Sequence, residues 1–106
     1  MPKFLLTASY TVDGVKGLMK EGGTSRRRAA EEAIKSAGGT MEAFYFAFGD
    51  YDAAVIFDAP DNAAAVSASV TINASGAVRT KTVVLLTPEE MDQATKKKVS
   101  YRAPGQ

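Results

Sequence analysis

The chain predicts an α+β fold in which a four-stranded antiparallel sheet carries two helices on one face. Three observations predict it. Two aromatic and β-branched runs, Phe44-Tyr45-Phe46-Ala47-Phe48 and Ala53-Ala54-Val55-Ile56-Phe57, flank a polar break from Gly49 to Asp52. That reads as a β-hairpin turned at Gly49-Asp50. One helical pattern precedes the hairpin and another follows it, each closed by glycine, and an alternating strand pattern lies outside each.

The first strand is Lys3 to Tyr10, with Phe4, Leu6, Ala8 and Tyr10 on one side and Leu5, Thr7 and Ser9 on the other. Thr11 to Lys20 holds a short helical pattern, Val15, Leu18 and Met19, weakened by Gly14 and Gly17 and ended by Gly22-Gly23. Thr24 or Ser25 then caps a helix over about Ser25 to Ala37. Its inner stripe is Ala29 or Ala30 with Ala33, Ile34 and Ala37, and Gly38-Gly39 stops it. Strand two is about Met41 to Phe48, with Phe44, Phe46 and Phe48 against Ala43, Tyr45 and Ala47. Strand three is about Tyr51 to Asp58, ended by Pro60.

Asp61 caps the second long helix, Asn62 to Ala74, which carries no charged residue. A helix so apolar is expected to be buried on more than one side. Gly76 ends it, and strand four runs from about Ala77 to Leu86. Thr87-Pro88-Glu89-Glu90 has the form of a capping box with proline at the first helical position. Lys96 to Lys98 suits the far end of that helix, and Tyr101 to Gln106 reads as an extended tail. Residues 1–95 are thus expected to form one domain and residues 96–106 a basic helix end and tail.

This strand–helix–strand–strand–helix–strand order is the ferredoxin-like βαββαβ arrangement. Its strands are apolar on both faces, and the two helices cover only one. The other face is expected to be buried by a second subunit, which makes the protein a homo-oligomer. The alternative is that the C-terminal helix folds back over it.

Composition narrows the chemistry. A chain of 106 residues is one domain with a small core. A net charge of +1 supplies no bulk pull toward nucleic acid. No apolar run reaches the roughly 18 residues of a membrane span. Met1 to Leu6 is too short for a signal peptide's apolar region, so a cytoplasmic protein is expected. Cysteine and histidine are absent, which removes thiol nucleophiles, disulfides, imidazole catalysis, Ser-His-Asp triads and Cys/His zinc sites. No acidic loop has the form of an oxygen-ligand metal site, and no cofactor is expected.

At the hairpin the chain resembles the GYD domain family. The matching residues are Phe44 to Asp52, Val55-Ile56 and Ala59-Pro60-Asp61, with Arg26, Arg27 and Ala30 before them and Ser75-Gly76-Ala77-Val78-Arg79 after. The resemblance covers nearly all of Phe4 to Ala94. It implies a dimeric α+β-barrel version of the ferredoxin-like fold and supplies no catalytic residue to carry over.

Candidate residues for a site follow from residue type and spacing. Asp50 and Asp52 fall on the same side of the chain with Tyr51 between them, and paired carboxylates do acid/base work when burial separates their pKa values. The structural alternative is a turn residue and a carboxylate that accepts from backbone amides. Tyr10, Tyr45 and Tyr51 are candidates to line a pocket with Asp52, or else to be core rings with hydroxyls at the rim. Arg26, Arg27 and Arg28, at the start of a helix after Gly22-Gly23-Thr24-Ser25, form a candidate anion site. The other reading is a basic surface paired with Glu31 or Glu32 one turn on. Lys96 to Lys98 is a solvated helix end.

Three functional readings remain. The first is an oligomeric protein that binds a small, anionic or aromatic molecule between sheet and helices. The second is a cofactor-free isomerase or monooxygenase of the dimeric-barrel kind, by fold analogy alone. The third is a purely structural interaction module.

Overall fold

A computed structural model describes residues 1–106. Its elements are β1 (Lys3–Tyr10), α1 (Val12–Glu21), α2 (Gly23–Ser36), β2 (Thr40–Phe46), β3 (Ala53–Asp58), α3 (Asn62–Ala74), β4 (Val78–Leu85) and α4 (Pro88–Lys96). The strands form one antiparallel sheet in the order β2-β3-β1-β4. The fold is α+β, and no helix is long and apolar enough to cross a membrane.

Alternation in the strands sorts the sheet into two faces. Phe4, Leu6 and Ala8 of β1, Ala53, Val55 and Phe57 of β3, and Val78 of β4 are buried together with Ile34 of α2 and Ala65 of α3. Phe4 and Phe57 stack with ring centroids 5.5 Å apart. A β-bulge between Met41 and Ala43 puts an extra residue, Glu42, into β2. Met41 and Phe44 therefore both face the helices, opposite Phe57 and Val55.

The opposite face carries the row Ala43, Ile56, Leu5 and Val83, one residue from each strand in register. None of the four is buried, and no helix lies over them. Only 14 of 106 residues are buried, in a chain that is 45% hydrophobic. The open face carries this one apolar row between the Asp58-Lys3 and Thr7-Lys81 pairs, and the single chain covers only the helix side.

The C-terminal helix does not fold back over the free face. Every residue from Leu86 to Gln106 is exposed. The radius of gyration is 16.8 Å, against about 13 Å for a compact chain of this length, because this arm projects from the body. Thr87 and Glu90 do form the expected capping box, with Glu90 N–H donating to Thr87 Oγ1 and Thr87 N–H donating to Glu90 Oε1, each at 3.0 Å. Asp61 caps α3 through Ala64 N–H at 2.8 Å.

Four local expectations are corrected. First, α2 begins at Gly23 with Gly22 as its cap, and neither Thr24 nor Ser25 caps it. The glycine pair turns the chain between two adjoining helices, with Gly22 at φ 87°, and Ser25 Oγ donates to Glu21 instead. Second, β2 ends at Phe46 and β3 starts at Ala53, so the hairpin loop is longer than two residues. Its left-handed residue is Phe48, at φ 57°, and Gly49 is not left-handed. Asp52 is drawn off toward β1, where its N–H donates to Ala8 O at 2.8 Å, and that opens the loop. Third, α3 buries Ala65 and Ala68 on one side but leaves Val66 and Val70 more than half exposed. It lies over edge strand β4, so nothing within the chain reaches its outer side. Fourth, Arg27 and Arg28 form no ion pair with Glu31 or Glu32, and Arg26 pairs backward with Glu21.

Candidate functional site

The slot between the sheet and helices α2 and α3 follows from small side chains. Ala29 and Ala30 stand on the inner side of α2 where larger residues would fill the space. Ala8 and Ala53 lie opposite them on the sheet, in register with each other. The result is a cavity of about 70 Å³ whose walls include Phe44, Val55 and Ile72. Of its twelve lining residues only Arg26 and Thr80 are not hydrophobic, and Tyr10 adds a phenol. Tyr10 pairs with Val78 and Ala8 with Thr80 across β1 and β4, so the polar groups gather at one end of the sheet.

Helix α1 holds that end in place. Thr11 caps it through Gly14 N–H at 3.2 Å, and Thr11 Oγ1 donates to Gly76 O at 3.0 Å. Gly14 rests on the Ala77 carbonyl, and a Cβ there would overlap that oxygen, so only glycine lets α1 approach so closely. This contact carries Glu21, at the end of α1, to Arg26, whose Nη1 lies 3.3 Å from Glu21 Oε2. A second groove of about 170 Å³ shares Tyr10, Arg26 and Val78 as a wall and includes Asp13 and Glu21.

Burial pushes the Tyr10 phenol above its ordinary pKa, and the nearby Arg26 guanidinium pulls it partly back. Tyr10 is therefore a neutral hydroxyl at physiological pH, able to donate to an oxygen acceptor. Arg26 is the cation of the site, and its only ion-pair partner is the half-exposed Glu21.

The other sequence candidates lie elsewhere. Asp52 Oδ2 accepts from Tyr10 N–H at 2.8 Å, so this carboxylate anchors the backbone at the cavity's edge. Asp50 is exposed in the hairpin loop, and Tyr51 is 39% exposed beside it. Tyr45 is 72% exposed at the β2 edge, beside a shallow groove with Gly23 and Arg27. The structure thus brings together Tyr10 and Arg26, with Asp52 behind them, and not Tyr45, Asp50 or Tyr51. Phe44, Ile72 and Thr80 are cavity residues that sequence reasoning did not single out. The usable signal was the Ala29-Ala30 pair, two small residues in a helical stripe that must face a sheet.

A family model described as the GYD domain matches residues 4–95. No curated protein and no solved structure matches the chain.

Proposed function

The chain belongs to the GYD domain family, and on that premise we propose that it binds a compact apolar molecule bearing one anionic oxygen group. The observation that carries this reading is the apolar slot with Tyr10, Arg26 and Thr80 at one end. At about 70 Å³ the cavity is about half the roughly 150 Å³ that encloses benzene, so it takes the leading edge of a ring or a short alkyl chain and leaves the rest of the ligand beside Arg26. A carboxylate on that body would meet Arg26 and the Tyr10 hydroxyl, in exchange for Glu21.

Calorimetric titration with benzoate and with short-chain carboxylates tests this. Saturable binding that weakens at least tenfold in Arg26→Gln, with benzyl alcohol binding more weakly than benzoate, supports the reading. Binding that is indifferent to Arg26→Gln, or no binding, overturns it.

We also propose that the protein is a cytoplasmic homodimer of the ferredoxin-like, dimeric α+β-barrel kind. The strand order β2-β3-β1-β4 and the uncovered row Ala43-Ile56-Leu5-Val83 support it. Two such faces brought together by a two-fold axis would bury both rows. Light scattering that finds a monomer at micromolar concentration rejects it.

A further inference from the structure

We propose that the C-terminal arm, Leu86 to Tyr101, docks on a second copy of this chain, with Glu89 and Asp92 of one copy against Arg79 and Lys81 of the other. The proposal rests on the homodimer reading and adds to it a specific charge contact at one end of the free face, where Arg79 and Lys81 share the side of β4 that carries Val83.

The arm is built to be a helix but has nothing to rest on. It carries a complete capping box, proline at its start and Lys96 in its last turn. Yet α4 is only nine residues long and none of them is buried. Isolated helices shorter than about 12–15 residues are marginal in water even with good caps. Such a helix draws its stability from a surface. Its apolar residues, Met91 and, beyond the helix, Val99 and Tyr101, are all at least half exposed.

Charge and reach say which surface. Glu90 is engaged in the capping box, which leaves Glu89 and Asp92 as carboxylates in the first turns without an ion pair. Arg79 and Lys81 are exposed on β4 and also have no ion pair. Within one chain the two sets do not meet. Leu85, where the strand ends, lies about 13 Å from Lys81 and about 20 Å from Arg79 at roughly 3.3 Å per residue, and α4 begins only three residues later. With the two free faces together, a second copy whose β4 runs antiparallel to the first brings its Arg79 and Lys81 toward the Leu85 end of the first. Two-fold symmetry then makes the same contact twice.

Charge exchange in the full-length chain tests the pairing, with the dimer dissociation constant read by sedimentation at low salt. Glu89→Lys with Asp92→Lys should weaken the dimer about tenfold, as should Arg79→Glu with Lys81→Glu. All four changes in one chain should restore it. Since these residues are exposed, unchanged melting of each variant at high dilution establishes that the monomer fold is intact. A quadruple variant weaker than either double, or doubles that dimerise like the parent, overturns the arm contact and leaves the face-to-face dimer standing. A parent chain that is monomeric throughout overturns both, while the carboxylate titration still reports on the cavity.

Discussion

The two faces of the sheet both carry large apolar residues, and these meet different fates. On one, Phe4, Leu6, Val55 and Phe57 are each at most 4% exposed. On the other, Leu5 and Ile56, their immediate neighbours, stay partly open and Val83 is 54% exposed. Alternation assigns a residue to a face, but only the elements stacked on that face decide its burial. An apolar residue therefore stabilises the chain on one face and is available for association on the other.

The largest expected effect tests that difference directly. Phe57→Ala should cost about 3–5 kcal/mol, since it empties a fully enclosed site. Ile56→Ala, one residue away, should cost only about 1 kcal/mol in dilute protein, because its side chain is partly open already. Urea unfolding at two protein concentrations separates the terms. The Ile56→Ala deficit should grow with concentration as the parent gains from association, and the Phe57→Ala deficit should not. Equal costs at both concentrations would mean that the faces are not distinct.

Helix α3 offers the same contrast. Ala68 is 4% exposed and Val66 is 53% exposed. Ala68→Glu should lose about 3 kcal/mol or more by burying an unpaired charge. Val66→Glu should stay within about 0.5 kcal/mol. Comparable losses in thermal melts would mean that the outer side of α3 is covered in the assembled protein, as its uncharged sequence suggests.

What the sequence made legible follows the strength of its local signals. The alternation of Lys3 to Tyr10 and the long apolar pattern from Asn62 to Ala74 gave β1 and α3 to the residue. The Thr87 capping box gave the start of α4. The start of α2 was misplaced because Gly22-Gly23 reads as a break, whereas a single left-handed glycine suffices to join two helices. The hairpin was misread because Asp52 is claimed by β1, a partner 42 residues away. Of the candidate site, Tyr10 and Arg26 were legible as residue types. The approach of Glu21 to Arg26 depends on Gly14 resting on Ala77, a tertiary contact that no local pattern announces.

Asp52 and Asp50 extend the comparison to the hairpin. Asp52→Ala should cost about 2 kcal/mol by leaving the Tyr10 N–H unpartnered, and Asp52→Asn about 1 kcal/mol. Asp50→Asn should change melting within about 0.5 kcal/mol. If Asp52→Asn melts normally but abolishes benzoate binding, the carboxylate belongs to the ligand site and not only to the backbone.

Tyr10 gives a pH signature on the buried face. Its folded pKa lies above the ordinary value of 10.0, chiefly through burial. The folded state thus favours the neutral phenol, and its contribution is complete below pH 10 and lost as pH rises through the folded pKa. Tyr10→Phe should flatten that part of the alkaline decline in stability. A decline of unchanged size would assign it to other groups, among them Lys3, raised mainly by its hydrogen bonds to Glu42 and Asp58.

The smallest expected effect lies in the loop that joins β2 to β3. Phe48 holds φ 57°, a region that costs a residue with a Cβ roughly 1–2 kcal/mol. Its ring is 56% exposed, so little packing compensates. Asparagine tolerates that conformation better, and Phe48→Asn should gain several tenths of a kcal/mol. Gly49 is not left-handed, and a Cβ there would meet nothing within 4 Å. Gly49→Val should therefore be within about 0.5 kcal/mol of the parent, although its position between two strand-forming runs suggests an obligatory glycine. The pair separates two loop geometries by sign and size. If Gly49→Val instead loses 1–2 kcal/mol while Phe48→Asn gains nothing, the left-handed residue is Gly49. The hairpin would then turn tightly at Gly49-Asp50, Tyr51 and Asp52 would join β3, and Asp52 would no longer be free to hold the Tyr10 amide at the edge of the cavity.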